Sequence, residues 1–170
     1  DYAVAIGSEK ERLEALNSQA SIYLINRENV DWLINKSGLA FNYDMVVIDE
    51  LSSFKSHTAK RFKSLLKVRP KVKRIVGLTG TPSSNGLMDL WAEFRILDMG
   101  KRLGRYITHY RNSFFQPDKR NQHMIFSYKP IIGADKAIYN LISDITISMK
   151  SVDYLKMPEC IINEVPVHMN

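Results

Sequence analysis

Val46-Val47-Ile48-Asp49-Glu50 and Leu78-Thr79-Gly80-Thr81-Pro82 are the stretches that decide the fold of this chain. Each begins as an apolar run and stops abruptly at a polar cluster. In an open α/β sheet the carboxyl ends of parallel strands line the ligand crevice. Two such ends separated by one helix-length segment place Asp49, Glu50, Thr79 and Thr81 along one edge. A carboxylate pair in that position suits a magnesium ion and a water attacking a nucleoside triphosphate.

Working outward, strand and helix patterns alternate. Tyr2 to Ile6 reads as a short strand. Ser8 and Glu11 have the spacing of a capping box, and Leu13 and Leu16 give the following helix its buried face. Ile22 to Ile25 is the next strand, followed by a short helix on Val30, Leu33 and Ile34 that stops at Gly38. Met45 to Ile48 is the third strand. A helix is expected from about His57 to Val68, ended by Pro70, and Arg74 to Leu78 is the fourth strand. Gly86 to Leu97 carries the clearest apolar stripe, with Asn85 as its cap and Gly100 as its stop. Such alternation implies α/β architecture, a parallel sheet flanked by helices with right-handed crossovers. The strands are continuously apolar, as expected of a sheet buried on both faces.

Asp49-Glu50 resembles the Walker B element, motif II, of superfamily 2 helicases, and Leu78 to Pro82 resembles their motif III. The string from Asp49 through Lys55, then Leu78 to Asp98 and on to Phe115, is similar to Swi/Snf-like helicase-type ATPases, most of all to compact phage and bacterial forms. The resemblance implies an incomplete RecA-like (P-loop NTPase) lobe over residues 1–104. It also implies a helical or irregular extension and a final strand over 105–170, leading towards a second lobe. Asp49 would hold Mg2+ at bound ATP, and Glu50 would orient and polarise the attacking water. Thr79, Gly80 and Thr81 would couple hydrolysis to movement on nucleic acid. Asn26, Arg27 and Asn29 stand where motif Ib is expected, at a strand end suited to phosphate. Lys55 matches a lysine that follows motif II. Leu51-Ser52 stands where Ala-His or Gly-His is frequent, so Ser52 can reach motif III only as a hydroxyl.

Two elements of the resembled family are not in this sequence. It holds no G-x-x-x-x-G-K-[ST] loop, which the resemblance places upstream of Asp1. The family's arginine fingers belong to a second lobe, placed downstream of Asn170. The chain opens on Asp1 with a strand already under way, and it reads as a fragment of a longer protein. Alone, it is expected to be inactive.

The formal charge is +6, unevenly spread. From Leu51 to Met88 there is no Asp or Glu, while Lys71, Lys73 and Arg74 cluster among nine basic residues. That is either the electrostatic footprint of nucleic-acid binding, here to duplex DNA through its backbone, or a solvated helix face and loop. Hydrophobic residues make up 45% and charged residues 25%, an ordinary globular balance. No apolar run approaches the roughly 20 residues that span a bilayer. A single cysteine, Cys160, excludes an internal disulfide and multi-cysteine zinc sites and fits a reducing cytoplasm. The histidines show no ligand spacing.

Three functions therefore compete. One is part of a DNA-dependent ATPase or translocase. Another is a non-catalytic, basic nucleic-acid-binding module with a degenerate nucleotide fold. The third, a small phosphate-ester hydrolase using Asp49, needs further carboxylates at neighbouring strand ends, and the sequence offers none. If motifs II and III serve one phosphate edge, Met45–Ile48 and Arg74–Leu78 must be neighbouring parallel strands.

Overall fold

The computed structural model describes residues 1–80, 86–121 and 123–149. The strand β1 (Tyr2–Ala5) pairs in parallel with β2 (Ile22–Ile25), and β3 (Met45–Ile48) pairs in parallel with β4 (Arg74–Gly77). The two pairs are not hydrogen-bonded to each other. Helix α1 (Glu9–Asn17) crosses from β1 to β2, and α2 (Val30–Asn35) follows β2. Helix α3 (Lys60–Val68) joins β3 to β4. Helix α4 (Leu90–Asp98) leads into α5 (Ile107–Phe114), an antiparallel hairpin of β5 (Phe115–Pro117) and β6 (Tyr128–Pro130), and α6 (Ala134–Ile142).

The four parallel strands and the capping box lie where the sequence places them. Ser8 accepts from the Glu11 N–H, and Glu11 accepts from the Ser8 N–H at 2.7 Å. Two helices start later than their apolar periodicity. At α3 the hydroxyls of Ser56 and Thr58 bond at 3.1 Å and the Ala59 N–H reaches the Ser56 carbonyl, so a turn replaces the first helical residues. At α4 residues 87–89 form a turn before Leu90. The Asn85 cap and the final strand at Ile161–His168 fall outside the described residues. The extension after Gly104 is more regular than expected, with a helix and a hairpin ahead of α6.

The main core joins the inner face of β3 to α3, α4, α5 and α6 through Ile48, Phe54, Phe62, Trp91, Ile96 and Ile138. Arg69, in the acid-free stretch, belongs to this core. It is buried, and its guanidinium donates to the Ile96 and Leu97 carbonyls at 2.7 Å each and to the Val72 carbonyl at 3.0 Å. It satisfies the open carbonyl end of α4. A second cluster of Ala5, Leu16 and Leu33 packs against Tyr23, Trp32 and Phe41.

The parallel strands depart from expectation on their outer face. Tyr2, Val4, Ile22, Leu24, Met45 and Val47 are all exposed, between 42% and 69% of their surface. These are alternate residues, so one side of each pair is bare. Between the edges of β2 and β3 runs an apolar groove of about 960 Å³, floored by Leu33, Phe41, Phe54 and Leu65.

Candidate functional site

Parallel pairing puts the ends of β3 and β4 side by side. Ile48 is in register with Gly77, and the chain then closes with the Leu78 N–H on the Ile48 carbonyl (2.9 Å) and the Leu51 N–H on the Leu78 carbonyl (2.7 Å). Gly77 makes this closure possible: a Cβ there would stand 2.6 Å from Leu51 Cδ2. Leu51 and Phe54 are buried and anchor a 3₁₀ turn over Leu51–Phe54 directly after the carboxylates.

Glu50 is the hub of the edge. It adopts a left-handed backbone, φ 57° and ψ 66°, which is rare for a residue with a Cβ. Its Oε1 accepts from Thr79 Oγ1 at 2.9 Å and from Ser52 Oγ at very short range. The Ser52 hydroxyl first, then Thr79, and then the charge of Arg27 hold the Glu50 carboxyl below the usual range. Ser52 therefore serves Glu50 directly. Asp49 is exposed beside it. Thr81 lies outside the described residues. Among the described residues nothing lies where a Cβ on Gly80 would point, and its φ is not positive.

The ends of β2 and β3 share one mouth of the groove, where Asn26 and Arg27 stand with Asp49 and Glu50. Arg27 Nε donates to Glu28 at 3.1 Å. Asn29 precedes α2, but its side chain makes no capping bond. Lys55 pairs with Asp89 at 3.7 Å, tying the turn after Glu50 to the start of α4. Lys71, Lys73 and Arg74 are elsewhere. Arg74 is in register with Met45 at the opposite, starting end of the pair, and Lys73 pairs with Asp44 at 3.0 Å. The structure thus separates this cluster from Asn26, Arg27 and Lys55.

Glu93 is a site feature that the sequence reading passed over, because it sits inside the apolar stripe of α4. It is 1% exposed, and among the described residues neither carboxylate oxygen has a hydrogen-bond partner. Burial first, then the charges of Asp89 and Glu50 against that of Lys55, push its pKa up to about 8.

Among the described residues no cluster of three or more His, Cys, Asp or Glu is placed to hold a metal. The adjacent carboxylates of Asp49 and Glu50 at the strand end are a donor set of the kind that suits magnesium, which takes one or two carboxylates together with phosphates and keeps several waters. No helix among the described residues is long and apolar enough to cross a membrane.

Parallel strand pairs flanked by helices, with polar strand ends gathered at one edge, make an α/β fold of the kind found in helicase-type ATPase cores. The chain belongs to the SNF2-related domain family, whose pattern matches residues 21–128. It covers part of that family's ATPase core. The chain is 35% identical over 170 residues to "Putative protein p41" of Acyrthosiphon pisum secondary endosymbiont phage 1, covering 96% of this chain and 37% of that protein. It is 35% identical over 92 residues to "DNA excision repair protein ERCC-6-like" of Danio rerio, covering 52% of this chain and 6% of that protein. Its fold matches the Sulfolobus solfataricus SWI2/SNF2 ATPase core in complex with dsDNA, with a TM-score of 0.64 and 24% identity over 91% of this chain and 29% of that one. The chain thus spans little more than a third of the first curated relative.

Proposed function

We propose that this chain supplies the motif II and motif III half of the ATP site in a DNA-dependent ATPase that translocates on duplex DNA. The observation that carries this reading is the Thr79–Glu50 hydrogen bond, which joins the two strand ends at one edge. Asp49 would hold magnesium, directly or through water, and the ion would supply neutralisation of phosphate charge when bound with ATP. Glu50, kept ionised by Ser52, Thr79 and Arg27, accepts a hydrogen bond from the attacking water and polarises it. Thr79 passes the state of that carboxylate into the segment Thr79–Thr81, the route by which hydrolysis couples to movement.

Asn26 and Arg27 sit at the same edge, Asn29 follows at the start of α2, and all three are proposed as DNA backbone contacts that carry no base information. Lys55 acts there from its pairing with Asp89. The Lys71–Arg74 cluster offers a separate, nonspecific phosphate contact. Residues 1–104 form part of the first lobe, and 105–170 lead towards a second. The phosphate loop and arginine finger come from other parts of the longer protein. Among the described residues the facing edges of β2 and β3 have no strand partner, and an extended segment of the longer protein is proposed to fill the groove between them.

The test is hydrolysis of ATP by the longer protein with and without duplex DNA. DNA-stimulated turnover that disappears in Asp49→Ala supports the reading. DNA binding without turnover favours the non-catalytic basic module.

A further inference from the structure

The loop after α4 is held with unusual care for a surface connection. Met99, Gly100 and Gly104 all take left-handed backbones, with φ 61°, 80° and 88°. A Cβ on Gly100 would lie 2.6 Å from the Gly104 carbonyl oxygen and 2.8 Å from Arg105 Cα, so the chain folds tightly back on itself. The Asp98 carboxylate accepts from the N–H groups of Gly100, Lys101 and Arg102 at 2.8, 3.0 and 3.1 Å. The Trp91 indole N–H fixes the other end, donating to the Gly104 carbonyl at 3.0 Å.

What this loop delivers is Arg105, beside Arg95 of α4, at a pocket of about 300 Å³ whose remaining wall is Leu66, Pro70 and Met99. Neither guanidinium has a hydrogen bond or ion pair among the described residues. Burial first, then the charge of Arg105, lowers the pKa of Arg95. Two like charges held together, one of them partly desolvated, cost free energy that an oxyanion between them would recover. Asp98 does not play that part, because its oxygens are committed to the loop and to Arg102 at 3.1 Å. The pocket sits beside Pro70, ahead of the start of β4, whereas Glu50 and Thr79 lie at the strand ends.

We propose that this pocket docks an acidic peptide segment, with one Asp or Glu carboxylate bridged by Arg95 and Arg105 and a neighbouring apolar side chain laid on Leu66, Pro70 and Met99. Two guanidinium forks recognise a planar carboxylate bidentately. The apolar wall favours a peptide, whose apolar side chain can fill it, over a nucleic-acid backbone, which offers only its sugars to that surface. The acid-free stretch Leu51–Met88 keeps the Leu66–Pro70 side of the pocket clear of carboxylates and draws an acidic segment there, while Asp98, whose charge also reaches Arg95, is held by the loop and by Arg102.

The experiment uses the full-length protein that carries this chain and a fluorescent peptide of alternating Glu and Leu, with a twin in which every Glu is Gln. The Glu peptide should bind saturably and the Gln twin roughly tenfold or more weakly. Arg95→Gln and Arg105→Gln should each weaken the Glu peptide by about tenfold, while duplex-DNA affinity, basal ATP hydrolysis and thermal midpoint hold. Lys73→Gln, outside the pocket, should leave binding of the Glu peptide unchanged. Arg105 is exposed, so its variant carries the test even if Arg95→Gln fails to fold. Equal binding of the two peptides, no binding of either, or an equal loss in Lys73→Gln would overturn the proposal. A drop in DNA affinity with the peptide unaffected would overturn it in favour of a phosphate contact.

Discussion

Thr79 donates its hydroxyl to Glu50 across the ends of two parallel strands, at 2.9 Å. That bond joins a residue in a left-handed backbone to the second residue past β4, and it ties the two strand ends together. Thr79→Val removes the hydroxyl and keeps the shape. Glu50 then loses one of the two hydroxyl donors that stabilise its ionised form, so its pKa should rise. In the longer protein, nucleotide affinity should hold while turnover falls by roughly tenfold, the worth of one hydrogen bond to a charged group. The acid limb of the pH–rate profile should move to higher pH. Unchanged turnover would remove Thr79 from the coupling role.

Glu93 links stability to pH. Its folded pKa of about 8 exceeds the ordinary 4.5, so the folded state keeps a proton that the unfolded state releases. The contribution is fully present below the unfolded value and is lost as pH rises through the folded one, so stability falls between about pH 4.5 and 8. Glu93→Gln should flatten that slope and raise stability at neutral pH by about 1–3 kcal/mol. Denaturation midpoints of both proteins from pH 5 to about 8 give the comparison. Parallel curves would mean that Glu93 is ionised and paired in the folded state.

Gly77 and Leu51 form a packing pair. Gly77→Ala drives a Cβ against Leu51 and should cost about 1–3 kcal/mol. Leu51→Ala should cost about 2–5 kcal/mol through lost burial. The double variant should be less damaged than the sum, because the smaller side chain makes room for the new Cβ. Strict additivity by chemical denaturation would show that the close approach is not a constraint.

The two basic groups can be told apart by salt. Charge reversal at Lys71, Lys73 and Arg74 in the longer protein should weaken duplex-DNA binding and lower the log–log salt slope by roughly 0.9 per lost phosphate contact. Turnover at saturating DNA should persist, because these residues lie at the far ends of β3 and β4. If neither affinity nor slope changes, DNA contact rests on the edge with Asn26, Arg27 and Lys55.

Much of the fold was legible because local and global signals agreed. The strands β1 to β4 are short apolar runs bounded by polar clusters, and the Ser8–Glu11 box marks a helix start without reference to the rest of the chain. The starts of α3 and α4 were not legible, since apolar periodicity runs on through turns set by hydroxyl and backbone hydrogen bonds. Helix α5 was missed although Ile107, Tyr110 and Phe114 have helical spacing, because neighbouring aromatics blurred the stripe. The β5–β6 hairpin has strands too short to show a period. At the site, the sequence placed Glu50 and Thr79 together at one edge, and their 2.9 Å hydrogen bond bears that out, but it did not show the pairing of Lys55 with Asp89 or the bond of Ser52 to Glu50. The first of these depends on register between distant segments. The bare outer face was hidden for a different reason: its residues are apolar, as residues of a covered sheet would be.

The central claim is that Glu50 activates the attacking water at an ATP site. Glu50→Gln in the longer protein keeps the shape and removes the charge. Nucleotide affinity and steady-state hydrolysis, measured side by side on wild type and variant with duplex DNA present, test it most directly. ATP affinity should be retained while turnover falls by at least roughly a hundredfold, the scale of a lost general base. Turnover at the wild-type rate in Glu50→Gln would contradict the account.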